Sequence, residues 1–348
     1  MEHVVVFAEK GRYAGWPANN GVWIWNGQEI LVGCTVGACA EQQGLHNIEP
    51  PFGSLLCRSR DGGQTWRQED PDHFVGDSGE LTDPPRKINL NHSGFAMRVV
   101  GDTYQGSNEK RGGFFYSLDR GVTWEGPYRF NGLVDEPQLE GMVLTPRTDY
   151  LVEGTTTCLV LLSAKRGTQL DDRVFCARSM DGCATFRFES WMVPFSDPFR
   201  AVMPSTVRCE DDKLVAAVRR RETSKDICWI DAYVSTDAGR NWMYQSKVGD
   251  TGPNNGNPPA LVRLADGRLC CVYGRRDRRQ IVARFSEDEG RTWGKEAILR
   301  NDFVRKGKPD LGYPRVVQRA DGRLVSIYYW ATNEMPEQHI EATIWDPG

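Results

Sequence analysis

The sequence is short of several things that mark the common function classes. No run within its 348 residues approaches the roughly 20 apolar residues of a membrane-spanning helix, so no membrane partner is expected. Its ten cysteines include no CxxC pair and no zinc-ligand spacing with the five histidines, so no metal centre is expected. An excess of charge of one sign is lacking: 43 Lys and Arg oppose 47 Asp and Glu, leaving −4. That balance excludes a sequence-blind electrostatic grip on nucleic acid, and any anion binding must be local. No glycine-rich phosphate loop opens a helix, and no cofactor is called for. Heptads, long amphipathic patterns and low-complexity linkers are also missing, so helix should be scarce. The opening MEHVVVFAEKGRYAG has no basic segment followed by an apolar one. The chain as given is therefore expected in the cytoplasm with reduced thiols, or in a secreted or periplasmic setting if a leader has been trimmed.

What is present in quantity is glycine and tryptophan, 36 and 11 residues, a composition suited to many short strands joined by turns. One phrase recurs: SRDGGQTW at 59–66, SLDRGVTW at 117–124, SMDGCATF at 179–186, STDAGRNW at 235–242 and SEDEGRTW at 286–293. The pattern Ser-x-Asp-x-Gly-x-Thr-Trp has the chemistry of a tight turn. Ser and Asp accept hydrogen bonds from turn amides, Gly supplies a positive φ, and the aromatic plugs a seam between sheets. Cys183 displaces the glycine by one in the third copy. The serines at 59, 117, 179, 235 and 286 are separated by 58, 62, 56 and 51 residues, enough for one four-stranded sheet and a loop each.

A second repeat sets the phase. MPSTVRCEDDKLVAAVRR from Met203, NPPALVRLADGRLCCVYGR from Asn257 and YPRVVQRADGRLVSIYYW from Tyr313 each read as strand, polar hairpin, strand. The spacing predicts an all-β, six-bladed β-propeller spanning 1–348 as one domain. Its blades begin near 17, 90, 141, 203, 257 and 313. The last unit is one strand short, and HVVVFAE at 3–9 has no partner of its own, so it should close the ring as the outermost strand of that unit.

The phrase is the Asp-box, or BNR repeat, and the chain resembles the sialidase-type β-propellers. Its GRYAGWPAN, MPSTVR, GNPPALV and GYPR segments are similar to those of a divergent bacterial sialidase-like group. In a propeller the inner strands begin, and the second strands end, at one mouth of the axis. Inner-strand heads there are Arg147 and Asp149, Arg200, Asn257, and Tyr313 with Arg315; second-strand ends are Arg219 and Arg275. A planar guanidinium fork grips a carboxylate, so converging arginines predict an anionic ligand. The resemblance implies that Arg275 is one of the substrate-carboxylate arginines, that Tyr313 is the nucleophile, and that Arg12 loosely replaces an arginine expected at the first blade. Pro258 stands where the family has a catalytic Glu.

A proton donor is expected from the blade-one loop at 38–51, which offers Glu41, His46 and Glu49, or from Asp149, whose alternative role is to hold Arg147 in an ion pair. Trp16 is placed to stack on a sugar face. The leading expectation is a sialidase-like exo-glycosidase that hydrolyses a glycoside of a carboxylate-bearing sugar. The alternatives are a lyase or unusual glycosidase on uronate-containing glycans, and a propeller that binds glycans without turnover. The sequence leaves the oligomeric state open.

Overall fold

Alternating apolar positions become the middle strands of six antiparallel sheets in the computed structural model, which describes every residue except 41–43, 72–79, 85, 101–111, 146, 167–170 and 305–306. In blade one, Arg12–Gly15 and Val22–Trp25 both pair with Glu29–Cys39, followed by Ile48–Ser59 and Arg67–Glu69. Blade two has three described strands, Ala96–Val100, Gly113–Ser117 and Glu125–Arg129. In blade three, Met142–Leu144 and Tyr150–Val152 share Cys158–Arg166, with Arg173–Ser179 and Arg187–Trp191 outside. Blade four is Arg200–Arg208, Leu214–Glu222, Ile227–Ser235 and Met243–Asp250. Blade five is Ala260–Arg263, Leu269–Arg275, Gln280–Ser286 and Ala297–Arg300. Blade six is Gly312–Gln318, Leu324–Trp330 and His339–Trp345, completed by Glu2–Phe7.

The fold is thus a six-bladed β-propeller closed by its N-terminal strand, with Glu2 opposite Ile344 and Val5 opposite Glu341. PANN at 17–20 departs from the expected strand: it forms a helical turn, for which proline at the first position is preorganised, and the inner strand of its blade starts earlier, at Arg12.

Six apolar clusters fill the six seams. Leu214, Ala216 and Val218 pack with Leu159 and Leu161 of blade three, whereas Val215 and Ala217 meet Cys271 and Tyr273 of blade five. Cys270 and Val272 turn the other way, toward Leu324 and Tyr328 of blade six, and Val325, Ile327 and Tyr329 continue toward blade one. Each middle strand is buried on both faces, so successive residues serve opposite seams. Burial of each large side chain contributes about 1.5–3 kcal/mol.

The boxes of blades one, three, four and five lie between the third and fourth strands of their sheets, as expected, and that of blade two lies between its last two described strands. Each serine hydroxyl accepts the amide four residues on: Gly63 at 2.7 Å, Gly121 at 2.8 Å, Cys183 at 2.9 Å, Gly239 at 2.8 Å and Gly290 at 2.7 Å. Cys183 itself takes the left-handed slot with φ 64°, rather than passing it wholly to Gly182. At Gly121 the side chain must be absent, because a Cβ would lie 2.3 Å from Leu31 Cδ2 of the preceding blade. All ten cysteines are free thiols, and no helix among the described residues is long and apolar enough to cross a membrane.

Two outcomes test this architecture. Removing residues 1–9 unpairs the His339–Trp345 edge and should lower the melting temperature of the whole protein; an unchanged melting temperature contradicts the closure. At Asp288, slight burial raises the carboxyl, but the Thr292 hydroxyl and amide, the Ser286 hydroxyl and the Arg291 amide outweigh it and hold the group at about 2, below its ordinary 3.8. The folded value is the lower one, so the contribution is complete above pH 3.8 and disappears as pH falls through about 2. Asp288→Asn should therefore be less stable at neutral pH and show a shallower acid limb in that window. Superimposable acid transitions would contradict it.

Candidate functional site

One unusual step recurs along three inner strands, just after Arg12–Gly15, within Arg200–Arg208 and at the second residue of Gly312–Gln318. Trp16, Met203 and Tyr313 each have a left-handed backbone, with φ of 58°, 57° and 48°, and each precedes a proline. A bulky residue pays about 1–2 kcal/mol to enter that region, and a following proline pushes its neighbour toward extended conformations instead. In blades four and six the step coincides with a bulge, where pairing skips between Val202 and Pro204 and between Gly312 and Arg315. Bulges of this kind re-aim a side chain. Here they send Trp16, Met203 and Tyr313, from three different blades, into one apolar cluster at the hub.

Two guanidinium groups meet Tyr313. Arg219 Nη1 donates to the Tyr313 hydroxyl at 3.1 Å, and the guanidinium carbons of Arg219 and Arg276 lie 5.6 and 5.9 Å from its ring centre. Both arginines are held by one loop. Asn254 and Asn255 are consecutive left-handed residues whose amides donate to Asp226 at 2.6 and 3.3 Å. The Asn255 carbonyl accepts from Arg219 Nε at 3.0 Å, and the Asn254 carbonyl accepts from Arg276. Burial pushes the Tyr313 phenol up, but the charges of Arg219, Arg276 and Arg147 outweigh it, and the group lies below its ordinary value of 10.

Asp310 is the anion of this assembly and is wholly buried. It accepts from Tyr329 at 2.6 Å, from Tyr13 at 3.0 Å and from the His46 amide at 2.8 Å, and lies 3.6 Å from Arg276. His46 is thereby fixed over the hub, its ring 5.3 Å from that of Trp16. Burial lowers the His46 pKa; Asp310 raises it, and Arg276 and Arg219 lower it further, so the net direction is down.

One layer deeper, Arg315 donates to the Ala18 carbonyl at 2.6 Å and to the Thr148 carbonyl. Asp149 accepts from the Thr206 hydroxyl at 3.0 Å. Burial raises Asp149 to about 7 against the opposing charge of Arg315 and the Thr206 hydrogen bonds. No group of three metal-ligating side chains stands together among the described residues.

Residues 95–326, about two thirds of the chain, match the BNR repeat-like domain. The chain belongs to the BNR repeat-like family. Solved structures place that family's fold here along the whole chain. A protein of unknown function from Dyadobacter fermentans is similar at a TM-score of 0.73 and 21% identity, covering 99% of this chain and 97% of that one. The Penicillium chrysogenum α-L-arabinanase solved with arabinobiose gives 0.64 and 13%, covering 99% and 98%. The NanB sialidase of Streptococcus pneumoniae gives 0.60 and 11%, covering 99% of this chain and 70% of that one. No functionally curated protein matches the sequence.

In this BNR repeat-like chain the hub gathers Tyr313, Arg219, His46 and Trp16, with the charge of Arg147 acting on Tyr313 and with Asp149 and Arg315 below. Other expected members go elsewhere. Arg275 turns to the opposite seam, donating to Glu296 at 2.6 Å and to Asp277 at 2.7 and 3.0 Å. It shares a face with Cys271 and Tyr273, and Arg276 has the hub-facing parity. Arg12 pairs with Glu9 at 3.0 Å beside Phe7. Glu49 is exposed, because the loop is pinched where the Ala40 amide meets the Asn47 carbonyl at 3.0 Å, so residue 49 is already on a strand pointing outward. Glu41 lies outside the described residues. Arg200 is anchored by Asp172 at 2.7 Å.

Asn257 proves to be a brace behind the site, with no exposure. Its Oδ1 accepts the Tyr313 amide at 2.7 Å and its Nδ2 donates to the Leu311 carbonyl at 3.1 Å. Gly312, with φ 103°, is required there, since a Cβ would lie 2.0 Å from Asn257 Oδ1. Asp149 partners Thr206 instead of bracing Arg147 in an ion pair. Arg276, Asp310 and Met203 were not anticipated.

An ultraviolet difference titration of the protein against Tyr313→Phe should show Tyr313 ionising below the ordinary tyrosine range, and Arg219→Gln should move that midpoint up. Ionisation at or above 10 would contradict the electrostatic account of the hub.

Proposed function

We propose that the chain cleaves the glycosidic bond of a carboxylate-bearing sugar held at the propeller hub. The observation that carries this reading is the state of Arg219. Its described partners are a carbonyl, the Tyr313 hydroxyl and the Met203 sulfur, with no carboxylate among them. A buried guanidinium that lacks an anion is strongly favoured to take one from a ligand. Arg276, wholly buried beside Asp310, adds positive field. Trp16, Tyr13 and Tyr329, wholly buried with ring centres 5.0–6.2 Å apart, form a rigid aromatic support behind Tyr313.

The chemistry centres on Tyr313. An acidified phenol beside two guanidiniums serves as a nucleophile or as a proton carrier, and His46, its pKa lowered by burial, serves as a base. Family membership and the glycoside-cleaving names of two similar structures support a carbohydrate substrate; the arginines support its charge.

Calorimetry with glucuronate and with glucose tests the reading. Glucuronate should bind and glucose should not. Each lost charged hydrogen bond is worth about 1.5–3 kcal/mol, so Arg219→Gln should weaken glucuronate binding about tenfold to a hundredfold. Arg275→Gln should leave it unchanged, because its Glu296 and Asp277 partners face another seam. Equal affinity for both sugars would overturn the acidic-sugar reading.

A further inference from the structure

The hub is unevenly supplied with proton carriers. Hydrolysis through a tyrosine nucleophile requires a group that starts protonated and gives its proton to the leaving oxygen. The described carboxyls are poorly placed for that. Asp310 is fully buried and engaged with two phenols, an amide and a guanidinium. Asp149 lies a layer below, on Thr206. Glu49 faces outward, and Pro258 stands in the place where a glutamate was expected. What does gather around Tyr313 is the His46 loop, held to Asp310 through its backbone amide with the imidazole 5.3 Å from the Trp16 ring, and the guanidiniums of Arg219 and Arg276.

That set matches a different way of breaking the bond. When a sugar carries its carboxylate on C5 and its glycosidic oxygen on C4, the hydrogen on C5 is acidic, and more so when the carboxylate is neutralised by cations. A base removes that hydrogen, its electron pair forms the C4–C5 double bond, the C4–O bond breaks, and the leaving oxygen takes a proton from an acid. No water enters, and no oxidant or cofactor is needed.

Resting on the acidic-sugar reading above, we propose that this chain is a uronate lyase: Arg219 and Arg276 neutralise the C5 carboxylate, His46 takes the C5 proton, and Tyr313 protonates the departing O4. The imidazolium then returns its proton to solvent and the phenolate regains one. The electrostatics agree with this division of labour. Burial, with the Arg276 and Arg219 charges and against that of Asp310, lowers the His46 pKa, and the same two arginines lower that of Tyr313. The groups facing the pair from the packed elements are Asp310, Arg219, Arg276, Arg147 and Tyr329.

The test uses the full chain with three polymers, namely polygalacturonate, alginate and hyaluronan, and with aryl glycosides of glucuronate and N-acetylneuraminate, in water enriched in heavy oxygen. The expected result is a product from at least one polymer that absorbs in the ultraviolet, is lighter by one water than the hydrolysis product, and carries no heavy oxygen. Tyr313→Phe and His46→Gln, both checked for an unchanged melting temperature, should each lower the rate by at least about a hundredfold. Cleavage of a polymer or an aryl glycoside with heavy oxygen incorporated and no absorbing product would overturn the lyase and leave the acidic-sugar reading intact. If no acidic compound is cleaved and glucuronate does not bind, both fall. Full elimination activity in Tyr313→Phe and His46→Gln would overturn the assignment of the two groups.

Discussion

The Asp310 carboxylate, with no access to solvent, ties together parts of the chain that never meet in sequence. Its partners Tyr13, His46 and Tyr329 lie 297, 264 and 19 residues away, and Arg276 completes the set. A buried ion pair is costly to desolvate and is retained only when hydrogen bonds satisfy the remaining lone pairs. Asp310 meets that condition with two phenols and an amide. The consequence reaches the chemistry directly, because the same carboxylate fixes the His46 loop, the aromatic support and one of the two guanidiniums around Tyr313. Breaking such a pair on one side costs about 3–5 kcal/mol, so the hub is a structural node as well as a site.

The second constraint is backbone strain placed where it aims side chains. Three bulky residues before prolines adopt left-handed conformations along the inner strands, and the packed cluster around them holds them there. Strain of this sort persists only when its surroundings over-determine it. The boxes at the outer rim do the opposite work. Their serine and aspartate side chains are fully occupied by turn amides, and their glycine positions let one blade approach the previous one. The rim and the seams therefore hold the blades together, and the strained residues gather at the axis.

The propeller was legible because its signals are local. A box is eight residues of turn chemistry, and five of them at similar spacing leave few architectures. Ring closure was legible by bookkeeping of strands, since the last blade lacked one and HVVVFAE had no partner. The site was harder, because it depends on which face each strand residue takes. Aligning LVAAVRRR with LCCVYGRR on their leucines puts Arg275 opposite Arg220 and Arg276 opposite Arg221. Arg220 indeed turns to Asp197 and Tyr233, away from the hub, just as Arg275 turns to Glu296. Counting parity from that leucine would have chosen Arg276. Asp310 carried no comparable signal: a lone aspartate in KPDLGYP acquires meaning only when Tyr13 and His46 arrive from the other end of the chain. Glu49 failed for a local reason, the pinching of its loop one turn earlier than its length suggested.

We propose that the axis of this propeller takes a ligand carboxylate on Arg219, in the field of Arg276 and beside the acidified Tyr313. A crystal structure of the protein soaked with glucuronate tests it most directly. The account predicts the sugar carboxylate within hydrogen-bonding distance of Arg219, with Tyr313 under the reactive carbons of the sugar. A sugar bound with its carboxylate turned to solvent, or lodged at the rim away from Tyr313, would contradict it.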